Sequence, residues 1–242
     1  MDRMIYLSMA GAKATMQRQD VLANNLANAS TTGFRAELQA FRAVPVRGDG
    51  ASTRVYALET TTGYDATPGA VAATGRPLDV AMQGNAWLAV QGLDGTEAYT
   101  RMGSLQVGPD GTLATAGGLT VMGDGGPVAI PPNTEASIAP DGTVSVRQAN
   151  GTVNGVGRLK LVTPEAPLAR GADGLFRAAD GDLPADPNAR LQDGALEGSN
   201  VNPIENMVAM IAAARQFEAQ MKMVQTAERD EQAASRLLSM NP

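Results

Sequence analysis

The apolar positions of this chain follow two different periods. Near the N-terminus, Ile5, Met9, Ala12, Met16, Ala23 and Leu26 recur at steps of three, four or seven residues, with Gln19 interrupting the run. That spacing predicts an amphipathic helix over residues 1–28, roughly 38 Å long at 1.5 Å rise per residue. Gly11 weakens its middle by roughly 1 kcal/mol relative to alanine. Near the C-terminus, Ile204, Val208, Ile211, Ala214, Phe217, Met221, Val224 and Ala227 repeat the pattern. Pro203 suits a first helical position and Asn202 the cap before it, which predicts a second helix over residues 203–240. Its other face carries Glu205, Arg215, Glu218, Lys222, Glu228 and Arg229. Glu218 and Lys222 form an i,i+4 pair in the favourable order. A helix of roughly 54 Å with no glycine or proline inside it suits a coiled coil or bundle better than a cover for one small domain.

Between the helices the period drops to two. Asn28 to Gly33 is a helix stop and turn, with Gly33 free to take a positive φ. Residues 34–47 alternate only partly and fit either a helix or an extended arm. Residues 48–74 are rich in Gly, Thr, Ala and Asp and read as a linker. From 75 to 165 the chain holds short strand-compatible runs such as Ala86–Val90, Leu105–Val107, Val144–Val146 and Leu159–Val162. The dipeptides Asp94-Gly95, Asp110-Gly111, Asp124-Gly125, Asp141-Gly142 and Asn150-Gly151 separate them, and such pairs favour tight hairpins. This pattern predicts a barrel or sandwich-like β domain. Residues 166–198, rich in Pro, Gly, Asp and Ala, read as an extended connector. The expectation is an α+β chain. Residues 1–47 and 199–242 supply long helices packed as a coiled-coil core, and the β domain lies between them.

Composition narrows the chemistry. Of 242 residues none is cysteine or histidine, so thiolate and imidazole catalysis, Cys/His zinc sites and disulfides are excluded. A formal net charge of −6 argues against nucleic acid as a partner. Aromatics make up only 4% of the chain, a modest endowment for a core, so contacts with neighbouring subunits are expected to add stability. Gly123-Asp124-Gly125-Gly126 lacks the Lys-Ser/Thr of a phosphate loop and reads as a hairpin. The Asp-Gly pairs lack the closing glutamate of a calcium loop. Trp87 reads as a core anchor. Neither helix holds an apolar run long enough to span a membrane, and no basic-then-apolar leader opens the chain. The expectations are no enzyme activity, no cofactor and no cleavable signal peptide.

Three stretches carry a resemblance. Residues 23–35, A-N-N-L-A-N-A-S-T-T-G-F-R, resemble the N-terminal signature of bacterial flagellar basal-body rod proteins. Residues 74–91 and 98–115, T-G-R-P-L-D-V-A-M-Q-G-N-A-W-L-A-V-Q and A-Y-T-R-M-G-S-L-Q-V-G-P-D-G-T-L-A-T, resemble the family's central region. Residues 196–211, L-E-G-S-N-V-N-P-I-E-N-M-V-A-M-I, resemble its C-terminal entry. The opening M-D-R-M-I-Y-L-S-M and the length are most similar to proximal-rod members, with distal-rod members the close alternative; a non-flagellar binding module is the remaining reading. Trp87 stands where distal-rod and hook relatives often carry paired phenylalanines.

The resemblance implies a structural subunit that polymerises, in the periplasmic basal body, into a rod that crosses the periplasm, surrounds an export channel and transmits torque. Its partners would be copies of itself, other rod proteins and the flagellar type III export apparatus. It also implies an assembly interface with no catalytic residue. On the first helix and the turn after it, the expected interface residues are Ile5, Met9, Met16, Asn24, Asn25, Leu26, Asn28, Thr32, Gly33 and Phe34. At the entry to the second helix they are Glu197, Gly198, Ser199, Asn200 and Asn202, and along it Ile211, Phe217, Met221 and Val224.

Overall fold

The two predicted helices form, and the end of the first and the start of the second have visible causes. In the computed structural model, which describes residues 2–45 and 55–239, α1 spans Asp2–Ala27 and α2 spans Pro203–Ser239. Helix α1 stops where the backbone N–H and side-chain amide of Asn28 both donate to the Asn24 carbonyl, at 3.1 and 2.9 Å. Helix α2 starts at an Asn202 cap, whose Oδ1 accepts the backbone N–H groups of Ile204 and Glu205 at 3.1 and 3.3 Å.

Two units make up the chain. One holds α1, α2 and a hairpin; the other holds residues 30–36 and 65–200. In the first unit α1 packs against α2 through small side chains. Ser8, Ala12 and Thr15 are buried on α1, and Ala213 and Ala227 on α2. A Cβ on Gly11 would sit 3.1 Å from the carboxamide carbon of Gln220. Small residues at such a seam let two helix backbones approach closely. The stripe read from sequence is therefore rotated: of its residues Ala12 is buried, Ile5 and Leu26 are half-buried, and Met9 and Met16 stand exposed.

The stretch after α1 is strand. β1 (Glu37–Pro45) pairs antiparallel with β2 (Val55–Tyr64), with an irregularity between Leu38 and Ala40, and both strands contact α1. Asn25, buried on α1, fixes the start of this hairpin: its side-chain amide donates to the Glu37 carbonyl at 3.0 Å, and its Oδ1 accepts the Glu37 N–H at 2.8 Å. Much of the segment read as a linker is thus β2, where Val55, Thr60, Thr61 and Thr62 supply the β-branched residues that strands favour. Residues 46–54 of that region lie outside the described residues.

The second unit is almost wholly antiparallel β. A five-stranded sheet runs in the order 161–162, 87–91, 97–100, 176–177, 169–170, beside a three-stranded sheet of 135–138, 143–147 and 153–158. Short pairs complete it, among them 80–82 with 191–193 and 71–73 with 195–197. Among the described residues no sheet closes into a barrel, because the strands are short and divided among several small sheets. The stretch expected as an extended connector instead supplies strands to three of these sheets. One apolar core joins them, with Val80, Leu88, Val90, Leu105, Leu113, Val121 and Leu191 fully buried. Trp87 is buried as expected, its ring 4.7 Å from that of Phe176.

Among the described residues one turn recurs five times. At Asp94, Asp110, Asp141, Asn150 and Asp173 a side-chain oxygen accepts the backbone N–H two residues on, and the intervening glycine has φ between +78 and +86°. In the Asp94, Asp110 and Asp141 turns a threonine hydroxyl donates to the same carboxylate. These bonds favour the ionised form. Asp94 and Asp110 are held below the usual carboxylate pKa first by the threonine hydroxyl, Asp141 first by the Thr143 backbone N–H, and Asp173 first by Arg177. A lowered folded-state pKa stabilises the fold above the ordinary carboxylate value, and that contribution is lost as pH falls through the depressed values. The native Asn150 turn shows that asparagine holds the same geometry without titrating. Replacing the four aspartates by asparagine should therefore preserve the fold at pH 7 and flatten the loss of stability below about pH 4. Urea midpoints measured from pH 7 to pH 2 check this; an unchanged acid slope contradicts it.

Candidate assembly site

Two sets of residues hold many of the predicted interface positions, one in each unit. In the β unit Glu197 is buried between two buried arginines. Its Oε1 accepts Arg35 Nη2 at 2.7 Å and the Gly69 N–H at 3.0 Å. Its Oε2 accepts Arg101 Nε at 2.7 Å and Nη2 at 2.6 Å. Arg101 donates its remaining N–H groups to the carbonyls of Met82, Gly84 and Ala86, at 2.7, 3.0 and 2.8 Å. All five donors of that guanidinium are thus satisfied. Arg35 donates to the Thr67 carbonyl as well. Burial lowers the Arg35 pKa, opposed by the adjacent Glu197 carboxylate.

The backbone around this cluster is as closely determined. The Gly33 N–H donates to the Glu197 carbonyl at 2.8 Å, and Gly33 takes φ +69°. A Cβ there would fall 2.3 Å from the Arg101 carbonyl carbon and oxygen. The Gly198 N–H donates to the Ala70 carbonyl at 2.8 Å. Asn200 completes the clasp: its Oδ1 accepts the Ala36 N–H at 2.7 Å, and its amide donates to the Asp65 and Thr67 carbonyls at 3.0 and 2.9 Å. Phe34 is buried beneath the Arg170 guanidinium, which lies 4.5 Å from the ring centroid. The segments that follow α1 and precede α2 in sequence are therefore tied to each other inside the β unit.

In the helical unit many of the larger apolar side chains are exposed. Met9, Ala12, Met16, Phe217, Met221 and Val224, with Lys13, line an open groove of about 370 Å³ between α1 and α2. Further toward the start of α2, Ile204, Met207, Val208 and Ile211 are exposed by 74, 51, 63 and 56%, in one i, i+3, i+4, i+7 stripe. Such a stripe has more apolar exposure than isolated surface residues need.

The structure thus gathers Gly33, Phe34, Glu197, Gly198 and Asn200 into one clasp, with Thr32 and Ser199 half-buried beside them in sequence. It gathers Met9, Met16, Phe217, Met221 and Val224 into one groove, leaves Ile211 exposed beyond it, and keeps Ile5 and Leu26 half-buried. Asn24, Asn28 and Asn202 serve helix ends, and Asn25 serves the hairpin. Sequence reasoning did not single out Arg35 or Arg101, although each stands in a quoted motif. Their signal is a charged residue amid buried apolar neighbours, which the linear pattern shows only once Glu197 is placed. Among the described residues no group of three carboxylates converges on a metal position, and no helix is long and apolar enough to cross a membrane.

Comparison with known proteins agrees with this layout. Residues 5–35 match the model described as flagella basal body rod protein, residues 81–146 the flagellar hook protein FlgE/F/G D1 domain, and residues 192–237 the flagellar basal body rod FlgEFG protein C-terminal. The chain is 50% identical over 252 aligned residues to the flagellar basal-body rod protein FlgF of Salmonella typhimurium, covering all of both chains. It is 49% identical to that of Escherichia coli, again over both full lengths. To the flagellar basal-body rod protein FlgG of Bacillus subtilis it is 30% identical, over 93% of this chain and 95% of that one. The chain belongs to the flagellar basal-body rod proteins. Within that family it is of the FlgF type.

Removing the Glu197 charge leaves two buried guanidinium groups uncompensated, which typically costs about 3–5 kcal/mol. Glu197→Gln should lower unfolding stability by that order in urea titrations of the full chain. A variant within 1 kcal/mol of the parent, an upper limit of roughly the size expected for surface pairs, contradicts the clasp's role.

Proposed function

We propose that the chain is a structural subunit of the flagellar proximal rod, built into the basal body through its helical unit. The observation that carries this reading is the outward apolar surface of α1 and α2, the groove and the stripe together, on a chain of the FlgF type. A helix pair that buries Ser8, Ala12, Thr15, Ala213 and Ala227 leaves Met9, Met16, Ile204, Met207, Val208 and Ile211 exposed for neighbours. A contact between unlike patches propagates when its rotation does not close, and this produces a filament. Helices packed as an inner coiled coil around an export channel fit that arrangement.

The subunit reaches the periplasm through the flagellar type III apparatus, meets other rod proteins there and transmits torque without catalysis. The absence of cysteine suits passage as an unfolded chain, since no disulfide has to be broken. The clasp supports the role indirectly, by holding the two segments that lead to the helices. The predicted interface residues then divide: groove and stripe meet neighbours, and the clasp ties together the segments that flank the helices in sequence.

Phe217→Asp and Ile211→Asp each place a charge on this surface, and Ile211 is already 56% exposed, so its change removes little internal packing. Both variants should fail to enter the basal body and should abolish swimming in a strain lacking the native gene, while the β unit keeps its thermal unfolding midpoint. Normal motility in both variants removes this surface from the interface. Normal incorporation beside the distal rod instead favours the distal-rod reading, for which the FlgG likeness is the supporting observation.

A further inference from the structure

We infer that the groove on one copy receives the α2 stripe of a second copy of the same chain, with Glu205 of the stripe meeting Lys13 of the groove. This rests on the assembly reading above and adds to it a specific pairing of two unlike patches.

The two patches match in length. The groove runs from Met9 to Met16 on one side and from Phe217 to Val224 on the other, seven helical steps each. The stripe runs from Ile204 to Ile211, also seven steps. Each therefore spans about 10.5 Å of helix. The groove lies between two helices, and a third helix seats its ridge of side chains in such a furrow. They cannot meet within one copy, because Val208 and Phe217 are separated by nine residues of rigid helix, about 13.5 Å along its axis.

Charge fixes the direction. Lys13 is the one ionisable residue lining the groove, and it is exposed. Glu205 is exposed one residue after the first apolar position of the stripe. Lys13 at the groove's edge offers the cation that an incoming Glu205 would pair with. Because groove and stripe are different surfaces on one chain, each copy uses both, giving a head-to-tail contact rather than a paired dimer.

The native chain has no cysteine, so engineered thiols report this contact without background. Met16→Cys/Val208→Cys, expressed in place of the native protein, should give a disulfide-linked ladder of dimers and higher species in isolated basal bodies. Met16→Cys and Val208→Cys alone should give monomers. Lys13→Glu in the double-cysteine chain should cut ladder formation roughly fivefold, the scale of about 1 kcal/mol for an exposed pair, and adding Glu205→Lys should restore it. A double-cysteine chain that enters motile basal bodies without cross-linking overturns the docking and leaves the structural role standing. Dimers from either single variant also overturn it, because they report a symmetric contact. Failure of the cysteine-free parent to enter basal bodies at all overturns both.

Discussion

Much of the β unit's shape depends on keeping one carboxylate neutralised. Glu197 cannot be buried unless two guanidinium groups reach it, and Arg35 and Arg101 come from segments 162 and 96 residues earlier in the chain. Bringing them together also draws in Gly69, Thr67, Gly84 and Ala86 as backbone partners. A buried ion cluster of this kind adds little net stability over well-packed apolar residues, because desolvation offsets much of the attraction. What it enforces is geometry: any arrangement that misplaces one of the three segments leaves a charge stranded. Gly33 and Asn200 reinforce the same constraint, one by close approach and the other by bridging three backbone groups.

The helical unit solves the opposite problem. Its internal seam buries residues too small to bury much apolar area, and many of its larger side chains, Met9, Met16, Ile204, Val208 and Ile211 among them, are left exposed within one copy. In a free-standing protein that division would be wasteful, since roughly 25 cal/mol per Å² of apolar burial goes unrealised. In a subunit of an assembly it is the expected arrangement. The close seam keeps two long helices together, and the outward side chains gain their burial when neighbours arrive. The β unit, with its own core and repeated Asp-Gly-Thr turns, does not need those contacts.

Much of this was legible in the residues, and the failures have physical reasons. Both helices were readable because the 3.6 period, the Asn202 cap and Pro203 agree with one another. The hairpins were readable because Asp-Gly and Asn-Gly specify their own backbone conformation locally. The β1–β2 hairpin was not, since Thr, Gly and Ala between residues 55 and 64 look alike in a loop and in a weak strand. Strands in residues 166–198 escaped notice because each is two or three residues long and is defined by distant partners such as Val80 and Val71. The rotation of the α1 seam toward Ser8 and Thr15 was hidden by their polarity: both hydroxyl-bearing residues are buried, and Thr15 donates to the Gly11 carbonyl at 2.9 Å. The clasp joins residues that no linear period connects. Its members in the quoted motifs pointed to the family, while their role emerged only from the fold.

The central claim is that the outward apolar face of the helix pair is an interface between subunits. Electron cryomicroscopy of intact basal bodies tests it most directly, by resolving side chains on α1 and α2 in the assembled rod. The account predicts that Ile204, Val208, Ile211 and the groove around Phe217 are covered by helices of neighbouring subunits, while the Arg35–Glu197–Arg101 cluster stays closed as it is here. A rod in which those side chains face solvent, with neighbours joined through the β unit alone, would contradict it.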